Sequence, residues 1–270
     1  MPFRAVPATQ FSSEQLTAML GKCFEGYSQP FSLPVDVFAQ RFAAEGLSLV
    51  DSCVWMEGDD LVAVALIARR GQSARLAAFA IRPAWRGKGI GRKLLAQLMD
   101  SLGAKGFQEI WLEVIQDNHP GVALYQSLGF AITQKLCGYQ GMQPGKITER
   151  ALQETAVMPL LRRAMVEQAQ GTPWLMDPAS LMMLPCRAFI HQQAFAVVSM
   201  LTEKPQLRMI YVAPEKRHHG QGREILRALN QQFPGLATVV SVPEPLTTLF
   251  ASAGYMTMAV QQFEMRAALV

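Results

Sequence analysis

One turn of the sequence concentrates residues that could hold an anion, and it reads AIRPAWRGKGIGRKLL over residues 80–95. An apolar, strand-like run stops at Pro83, and a helical pattern begins after Gly87, Gly89 and Gly91. The turn also carries five cations: Arg82, Arg86, Lys88, Arg92 and Lys93. Because a helix N-terminus is partially positive, cations are disfavoured there unless an anion joins them. Glycines let main-chain N–H groups approach a ligand closely, so the turn predicts a phosphate-binding site.

The elements around this turn predict an α/β fold, in which a mixed sheet is flanked by helices. Two amphipathic helices come first: one opens with a Ser12-x-x-Gln15 capping pattern, and the other runs from Pro34 to Gly46. Three strands follow before the turn. After it come a helix, the strand EIWLEVI, a helix closing at Gly129 and a last strand. The turn is therefore expected to join a strand to a helix.

The same pattern of elements occurs twice along the chain. QLRMIYVAP parallels RLAAFAIRP, and EKRHHGQGREILRAL parallels AWRGKGIGRKLLAQL. A stretch rich in Gly, Gln and Pro between the copies is typical of a linker. We therefore predict two tandem domains of one fold, at residues 1–140 and 150–270, with a linker at 141–149. The second copy is degenerate, because an ungapped alignment places apolar or uncharged residues opposite polar ones: Thr238 opposite Glu113, Pro243 opposite Asn118 and Phe250 opposite Tyr125.

Composition and charge limit the classes of function. Of the 270 residues, 50% are hydrophobic and 17% are charged, which is typical of a globular chain and not of a disordered one. No apolar run reaches the roughly 18 residues that cross a bilayer, and the opening MPFRAVPATQ lacks a signal core, so we expect a cytoplasmic protein without a membrane partner. A net charge of +4 is too small to indicate nucleic acid. The four cysteines are scattered singly, so no metal is expected.

The glycine turn matches neither common nucleotide-binding pattern, G-x-x-x-x-G-K-[S/T] or G-x-G-x-x-G. Its Arg86-x-x-Gly89-x-Gly91 spacing between a strand and a helix resembles the acyl-CoA-binding turn of the GNAT superfamily of N-acyltransferases. Downstream, LEVIQDNHPGVALYQSLGF is similar to the second signature of that superfamily. The resemblance implies acetyl-CoA as the acyl-donor co-substrate, with its pyrophosphate held by Arg86, Gly87, Lys88, Gly89, Ile90, Gly91 and Arg92. A solvated, glycine-rich loop is the alternative for the turn taken alone.

Acyl transfer from a thioester to an amine needs a base for the amine, a donor for the oxyanion and an acid for the leaving thiolate. The resemblance implies that Tyr125 is the acid and that main-chain N–H groups around Phe79, Ala80 and Ile81 are the donors. The best base is Glu113, which faces away from its apolar neighbours in EIWLEVI. Its spacing from Tyr125 resembles that in the ribosomal-protein alanine acetyltransferases. A core tyrosine and a structural carboxylate are the respective alternatives.

Three further residues are candidates for binding. Asn118 precedes the helix of Tyr125, so it either anchors the coenzyme or caps that helix. Tyr27 and Phe31 lie between the first two helices, where the resemblance implies the acceptor site, although packing in the core is the alternative for both. The acceptor is a primary amine, carried either by a small molecule or by a protein or peptide. The sequence does not distinguish these acceptors.

Together these features predict an acetyl-CoA-dependent N-acetyltransferase, whose first domain catalyses direct attack of a primary amine on the thioester. The rival function is a non-catalytic protein that binds or senses acyl-CoA. The set Glu113, Asn118 and Tyr125 favours the enzyme, because a sensor would not need all three. Two linked copies can form a pseudo-dimer within one chain, which leaves monomer and homodimer open.

Overall fold

The computed structural model describes residues 3–27, 33–142, 152–167 and 171–269. The chain divides into two compact units. The first comprises Met1–Thr133 and Glu264–Val270, and the second comprises Gln134–Phe263. Both units contain strands and helices, so the predicted α/β class with a mixed, helix-flanked sheet is confirmed.

The first unit follows the predicted order of elements, with one addition. Its elements are β1 (Arg4–Pro7), α1 (Ser13–Phe24), α2 (Val35–Glu45), β2 (Leu47–Glu57), β3 (Asp60–Arg70), β4 (Ser73–Ile81), α3 (Ile90–Ala104), β5 (Glu109–Ile115) and α4 (His119–Gln126). The addition is β1, which pairs antiparallel with β2. Its four residues end in Pro7 and lack apolar alternation, so no strand pattern marks it in the sequence.

The strands of the first unit form a mixed sheet in the order β1-β2-β3-β4-β5. The first four strands are antiparallel neighbours, whereas β4 and β5 run parallel. Residues 264–268, near the end of the chain, lie in the strand that neighbours β5 on its other side. One face of the sheet packs against α1 and α2 through a core that includes Leu20, Phe38, Phe42, Val64 and Leu66.

α1 begins with the capping box that the sequence predicts. The Gln15 N–H donates to the Ser12 hydroxyl oxygen at 3.1 Å, and the Ser12 N–H donates to the Gln15 side chain at 2.8 Å. The helix buries Leu16 and Cys23 on its predicted apolar face. It ends at Phe24, and a bond of 3.1 Å from the Tyr27 N–H to the Phe24 carbonyl holds Tyr27 just beyond the helix.

Gly46 ends α2 in a left-handed conformation. Its φ is +86°, its N–H donates to the Ala43 carbonyl at 3.1 Å, and its own carbonyl accepts the Arg69 N–H at 2.8 Å. A Cβ at this position would lie 2.9 Å from the Arg69 carbonyl oxygen. We therefore expect Gly46→Ala to lower the free energy of unfolding by about 1–3 kcal/mol, because it adds both backbone strain and a main-chain clash.

Gly21→Ala is the matched control for this prediction. Gly21 lies inside α1, and a Cβ there would meet nothing within 4 Å. Alanine at this site should raise the free energy of unfolding by about 0.5–1 kcal/mol, since it restricts the unfolded chain and favours the helix. Denaturant unfolding of both variants measures the difference, and a Gly46→Ala variant as stable as the parent would contradict the strain at Gly46.

The second unit repeats this order of elements. Its elements are β6 (Ala131–Gly141), β7 (Gln153–Thr155), α5 (Val157–Val166), β8 (Cys186–His191), β9 (Ala194–Ser199), β10 (Gln206–Val212), α6 (Gln221–Gln232), β11 (Ala237–Thr238), β12 (Val242–Pro243), α7 (Thr247–Ser252) and β13 (Tyr255–Ala268), of which β6 and β13 each extend a few residues into the first unit. The sheet order is β13-β6-β11-β10-β9-β8-β7, and β12 also pairs with β6. A glycine turn joins β10 to α6, as another joins β4 to α3.

The two units differ from the predicted domains in two segments. Residues 134–140, predicted for the first domain, belong to the second unit, where β6 pairs with β11 and β12. Residues 264–270, predicted for the second domain, belong to the first unit, where the Leu269 N–H donates to the Gln108 carbonyl at 2.8 Å. A linear boundary cannot express this exchange of strand ends. Of the predicted linker, residues 143–149 lie outside the described residues.

All four cysteines are free thiols with a raised pKa. Burial raises the pKa of Cys23 and Cys53 to about 12 and that of Cys186 to about 11, and it also raises the pKa of Cys137. Because the thiolate is the reactive form, we expect the thiols of Cys23, Cys53 and Cys186 to react with a disulfide reagent at pH 8 on the order of 10²- to 10³-fold more slowly than a free cysteine. Denaturant should restore the ordinary rate, and fast labelling of the folded chain would contradict the burial.

Candidate active site

Two neighbouring strands of the first unit, β4 and β5, are hydrogen-bonded over only part of their length. β4 and β5 pair only between residues 73–75 and 109–111, the last pair being Arg75 with Trp111. Beyond that pair, Ala77 is a bulged residue of β4 without a partner in β3, since Leu76 and Ala78 face consecutive residues there. A bulge bends the strand that contains it. The first unit therefore has a wedge-shaped opening between residues 76–81 of β4 and 112–115 of β5.

Main-chain groups of β4 face this opening. The Arg82 N–H donates to the Val62 carbonyl of β3 at 2.9 Å. Because hydrogen-bonded and non-hydrogen-bonded pairs alternate in antiparallel strands, Ala80 also bonds towards β3, whereas Phe79 and Ile81 direct their N–H groups away from it. Of the three residues predicted to include the oxyanion donor, Phe79 and Ile81 thus present N–H groups to the opening and Ala80 does not.

The glycine turn leads from β4 into the N-terminus of α3. Gly87 and Gly89 have φ values of 72° and 71°, a region that favours glycine, and Gly89 is the N-cap of α3. No side chain of the described residues caps this helix end, so its first N–H groups are directed outward. A Cβ on Gly91 would lie 3.0 Å from Cδ1 of Ile81 and 3.5 Å from Cδ2 of Leu124. Glycine at position 91 therefore lets α3 start directly against β4 and α4.

Arg86, predicted to bind the coenzyme, has its side chain bonded to main-chain acceptors of the protein. Its guanidinium donates to the carbonyl oxygens of Ile81 at 2.9 Å, Cys23 at 2.8 Å and Glu25 at 2.6 Å, and it lies 4.4 Å from the centroid of the Tyr27 ring. Its main-chain N–H donates to the Pro83 carbonyl at 3.2 Å. Because these acceptors belong to the protein, they weigh against Arg86 as a phosphate ligand. The Arg86 side chain instead links the glycine turn to the end of α1.

The remaining residues of the predicted coenzyme site lie at the surface of the turn. Gly87, Lys88, Gly89 and Arg92 are exposed, and Ile90 is half-buried. The Lys88 ammonium group lies 5.0 Å from the Trp85 ring centroid. Exposed cations beside outward N–H groups can meet a phosphate without further rearrangement of the fold.

Tyr125 lies on α4. It directly follows Leu124, which lies beside Gly91 at the start of α3. Its ring packs edge to face on Phe130, with the centroids 5.7 Å apart. Burial raises the pKa of Tyr125, and the nearby Tyr27 raises it further. A phenol with a raised pKa keeps its proton at neutral pH, so the Tyr125 hydroxyl is present as a proton donor.

Tyr27, predicted for the acceptor site, lies close enough to Tyr125 to raise its pKa. Its ring packs against Phe24, with centroids 5.1 Å apart, and beneath the Arg86 guanidinium. Burial raises the pKa of Tyr27 as well, and Arg86 opposes that rise. Phe31, the other predicted acceptor residue, lies outside the described residues.

Asn118 caps α4. Its side-chain oxygen accepts the Gly121 N–H at 3.1 Å. A Cβ on Gly121 would lie only 2.9 Å from Cγ of Asn118, so a larger residue at position 121 would collide with the Asn118 side chain. The capping alternative is therefore present in the structure. Because the cap fixes the first turn of α4, Asn118 helps to orient the helix that carries Tyr125.

Glu113 faces the side of the sheet that the sequence predicts, but its carboxylate is occupied. Nη2 of Arg75 lies 2.7 Å from Oε2 of Glu113, and Nε of Arg75 donates to the same oxygen at 2.8 Å. The Glu113 side chain is 7% exposed. The bonds from Arg75 therefore occupy the carboxylate within the protein itself. The base role of Glu113 stays a prediction, and these contacts weigh against it.

Two further properties of the described residues bear on ligands. No helix within residues 3–27, 33–142, 152–167 and 171–269 has the length and apolarity needed to span a membrane. The same residues contain no group of three or more His, Cys, Asp and Glu side chains arranged to hold a metal ion.

The glycine turn of the second unit has a similar main-chain conformation. Gly220 is the N-cap of α6 with φ 80°, and His218 adopts φ 63° where the first turn has a glycine. Nε of Arg217 donates to the Val212 carbonyl at 3.0 Å, as Arg86 does to its own strand. Glu224 lies in the first turn of α6. Its negative charge is unfavourable for a phosphate at that helix end.

Sequence comparisons agree with these motifs over the first unit. Residues 14–130 match the family model described as Acetyltransferase (GNAT) family. Over 76 residues the chain is 37% identical to a [ribosomal protein bS18]-alanine N-acetyltransferase of Haemophilus ducreyi, covering 28% of this chain and 52% of that protein. Over 51 residues it is 51% identical to a mycothiol acetyltransferase of Renibacterium salmoninarum, covering 19% and 15% of the two chains. The chain thus spans about half or less of the length of these curated relatives.

Solved structures share the fold over both units. A GCN5-related N-acetyltransferase from Sphaerobacter thermophilus superposes with a TM-score of 0.70 at 16% identity, covering 99% of this chain and 96% of its own. A tandem GNAT protein from the clavulanic acid biosynthesis pathway gives a TM-score of 0.66 at 14% identity, covering 100% and 98%. Residues 14–130 thus form a domain of the acetyltransferase (GNAT) family, and the chain shares its fold with a tandem GNAT protein.

Proposed function

We propose that the first unit transfers an acetyl group from acetyl-CoA to a primary amine. The observation that carries this proposal is the opening between β4 and β5, towards which Phe79 and Ile81 direct main-chain N–H groups. The glycine turn begins α3 beside it, and α4 brings Tyr125 to the same region. This is the set of donors that a thioester with a phosphorylated carrier requires.

The proposed reaction is a direct displacement. The amine nitrogen attacks the thioester carbonyl carbon, and the N–H groups of Phe79 and Ile81 hold the oxyanion that forms. As the C–N bond completes and the C–S bond breaks, the Tyr125 hydroxyl gives its proton to the departing thiolate. The amine loses one proton to water, and the tyrosinate recovers one from water. The products are an acetamide and free coenzyme A.

The acceptor is proposed as a primary amine of a protein or peptide, or of a small molecule. The protein alternative draws support from the relatives whose names specify ribosomal protein bS18 alanine. The second unit is proposed to have lost catalysis, because Phe250 lies on α7 at 1% exposure, stacked on Tyr139 with ring centroids 4.3 Å apart, and has no proton to donate. A cytoplasmic location and independence from metal are parts of the same proposal.

A binding protein without catalysis is the second candidate. The observation that favours it is the ion pair between Arg75 and Glu113. Because Arg75 occupies the Glu113 carboxylate, β5 presents no free carboxylate to the opening. Such a protein would bind acetyl-CoA through the glycine turn and release no coenzyme.

Detection of free coenzyme A thiol separates these functions. The purified full-length chain is incubated with acetyl-CoA and, in turn, a peptide with an N-terminal alanine, a polyamine and an amino acid. We expect amine-dependent release of the thiol with at least one acceptor class, together with the matching acetylated product by mass spectrometry. Saturable binding of acetyl-CoA without thiol release from any acceptor would overturn catalysis and leave the binding function.

A further inference from the structure

A chain of buried charges lies at the closed end of the opening in the first unit, where β4 and β5 separate. Arg75 of β4 bonds to Glu113 of β5 at 2.7 Å and, through Nη1, to Oε2 of Glu45 on α2 at 2.9 Å. The side chains of Arg75, Glu45 and Glu113 are 4%, 1% and 7% exposed. One buried guanidinium therefore joins two strands and a helix.

The charges of this cluster alternate and balance. Oε1 of Glu45 accepts a second bond, from Nε of Arg41, at 2.8 Å, and the Arg41 side chain reaches the surface at 36% exposure. Arg41, Glu45, Arg75 and Glu113 thus form a row of two cations and two anions. Burial alone would lower the pKa of Arg75, but the negative charges of Glu113 and Glu45 outweigh that effect, so the pKa of Arg75 is raised.

The position of the bulge explains why Arg75 lies on this face of the sheet. Ala78 and Ala80 of β4 pack towards the core beneath α1 and α2. Strict alternation would place Arg75 on the opposite face, but the extra residue Ala77 shifts the register by one. The bulge that opens the wedge is therefore the same feature that brings Arg75 to Glu113.

The ion pair lies where the strands separate. Arg75 belongs to the last paired position of β4, opposite Trp111, and Glu113 lies two residues beyond it on β5. Two guanidinium nitrogens bond to Glu113 at 2.7 and 2.8 Å, which fixes the planar group in orientation as well as distance. Because buried ion pairs are often no more stabilising than apolar residues of similar volume, their retention here needs another reason.

We propose that Arg75 and Glu113 are positioning residues, which fix the width of the opening so that the N–H groups of Phe79 and Ile81 meet the thioester oxygen. This inference rests on the proposed function and assigns Glu113 a role other than that of a base. Glu113 then acts through β4, and it exchanges no proton with the acceptor. Misplacement of donors by a fraction of an ångström is enough to slow a reaction that depends on their alignment.

Glu113→Gln tests the inference, since the amide keeps the shape of the side chain and one acceptor oxygen but loses the charge. We expect kcat to fall about 10- to 100-fold. The affinity for coenzyme A, measured by calorimetry, should change by less than about 2-fold, because the glycine turn is untouched. The pH dependence of kcat should keep the shape of the parent, since Glu113 exchanges no proton with the acceptor in this proposal.

Arg75→Lys is the second variant, because lysine keeps the charge but has one nitrogen in place of the guanidinium nitrogens that bond to Glu113 and Glu45. We expect the same drop in kcat with coenzyme affinity retained. Glu154→Gln is the control: Glu154 and Arg187 form an equally close pair between β7 and β8 in the second unit, with bonds of 2.6 and 2.8 Å, but both side chains are more exposed. That variant should keep the parent kcat.

The outcomes are distinct. Loss of the acidic-side limb of the pH profile in Glu113→Gln would identify Glu113 as the base and overturn the positioning role. Parent-like kcat in both Glu113→Gln and Arg75→Lys would also overturn it. An inactive parent chain with every amine would overturn the proposed function and this inference with it, whereas an active parent with parent-like variants overturns the inference alone.

Discussion

Tyr125→Phe is expected to lower kcat for amine acetylation by about 10²- to 10³-fold while leaving the affinity for acetyl-CoA unchanged. The hydroxyl is the group of α4 that can protonate the departing thiolate, and the raised pKa of Tyr125 keeps its proton in place until the thiolate forms. The phenyl ring retains the packing on Phe130, so the fold and the glycine turn should be preserved. Steady-state kinetics and calorimetry on the same preparation separate the two effects.

Tyr139→Phe is the matched control for that experiment. Tyr139 lies in the second unit, with its hydroxyl 2.7 Å from Oγ1 of Thr247 and its ring stacked on Phe250. Removing this hydroxyl should cost about 1 kcal/mol of stability, the ordinary value of a hydrogen bond, and leave kcat unchanged. Full activity in Tyr125→Phe would remove Tyr125 as the acid, and equal losses in the two variants would point to a general effect on folding.

Gly91→Leu should weaken acetyl-CoA binding by about 10- to 100-fold. Its Cβ would lie 3.0 Å from Ile81 and 3.5 Å from Leu124, so the larger side chain must push α3 away from β4. The first N–H groups of α3 would then lose their alignment with the phosphates. Losing one or two charge-assisted hydrogen bonds of about 1.5 kcal/mol each corresponds to this change in affinity.

Gly222→Leu makes the equivalent change in the second unit. A Cβ on Gly222 would lie 3.3 Å from Cδ1 of Leu249, so the local disturbance of packing is similar. If the first turn is the coenzyme site, this variant should keep the parent affinity for acetyl-CoA. Comparable loss of affinity in both variants, with the fold intact by circular dichroism, would contradict the assignment of binding to the first turn.

The sequence predicts the glycine turn and the capped helices well, because these features depend on local chemistry. The Ser12–Gln15 box and the left-handed Gly89 follow from which residues can cap or turn a chain. Asn118 shows the same locality, since one of its two predicted roles, the cap of α4, is visible in the structure.

The roles of Arg86 and Glu113 could not be predicted in this way, because their partners are distant along the chain. Arg86 bonds to carbonyl oxygens 61 and 63 residues away, and Glu113 bonds to an arginine 38 residues away. The position of Arg75 on the same face depends on one bulged residue, Ala77, which carries no distinctive sequence signal. The one available hint is an arginine inside an apolar strand, which requires a buried partner.

The domain boundary was less predictable for a related reason. Each copy of the pattern ends in a strand that looks complete in sequence, but residues 134–140 and 264–270 belong to the unit of the other copy. Hydrophobic pattern identifies a strand without specifying the sheet it joins, since any exposed strand edge can accept it. The partner of a strand is decided by packing.

Calorimetric titration of the full-length chain with acetyl-CoA tests the central claim most directly, because both catalysis and its assignment to the first unit depend on the glycine turn. We expect saturable binding with close to one equivalent per chain, which Gly91→Leu weakens and Gly222→Leu does not. Two equivalents would show that the second turn also binds and would contradict the division of roles between the units. The absence of saturable binding would contradict the coenzyme site itself, and with it the proposed acetyl transfer.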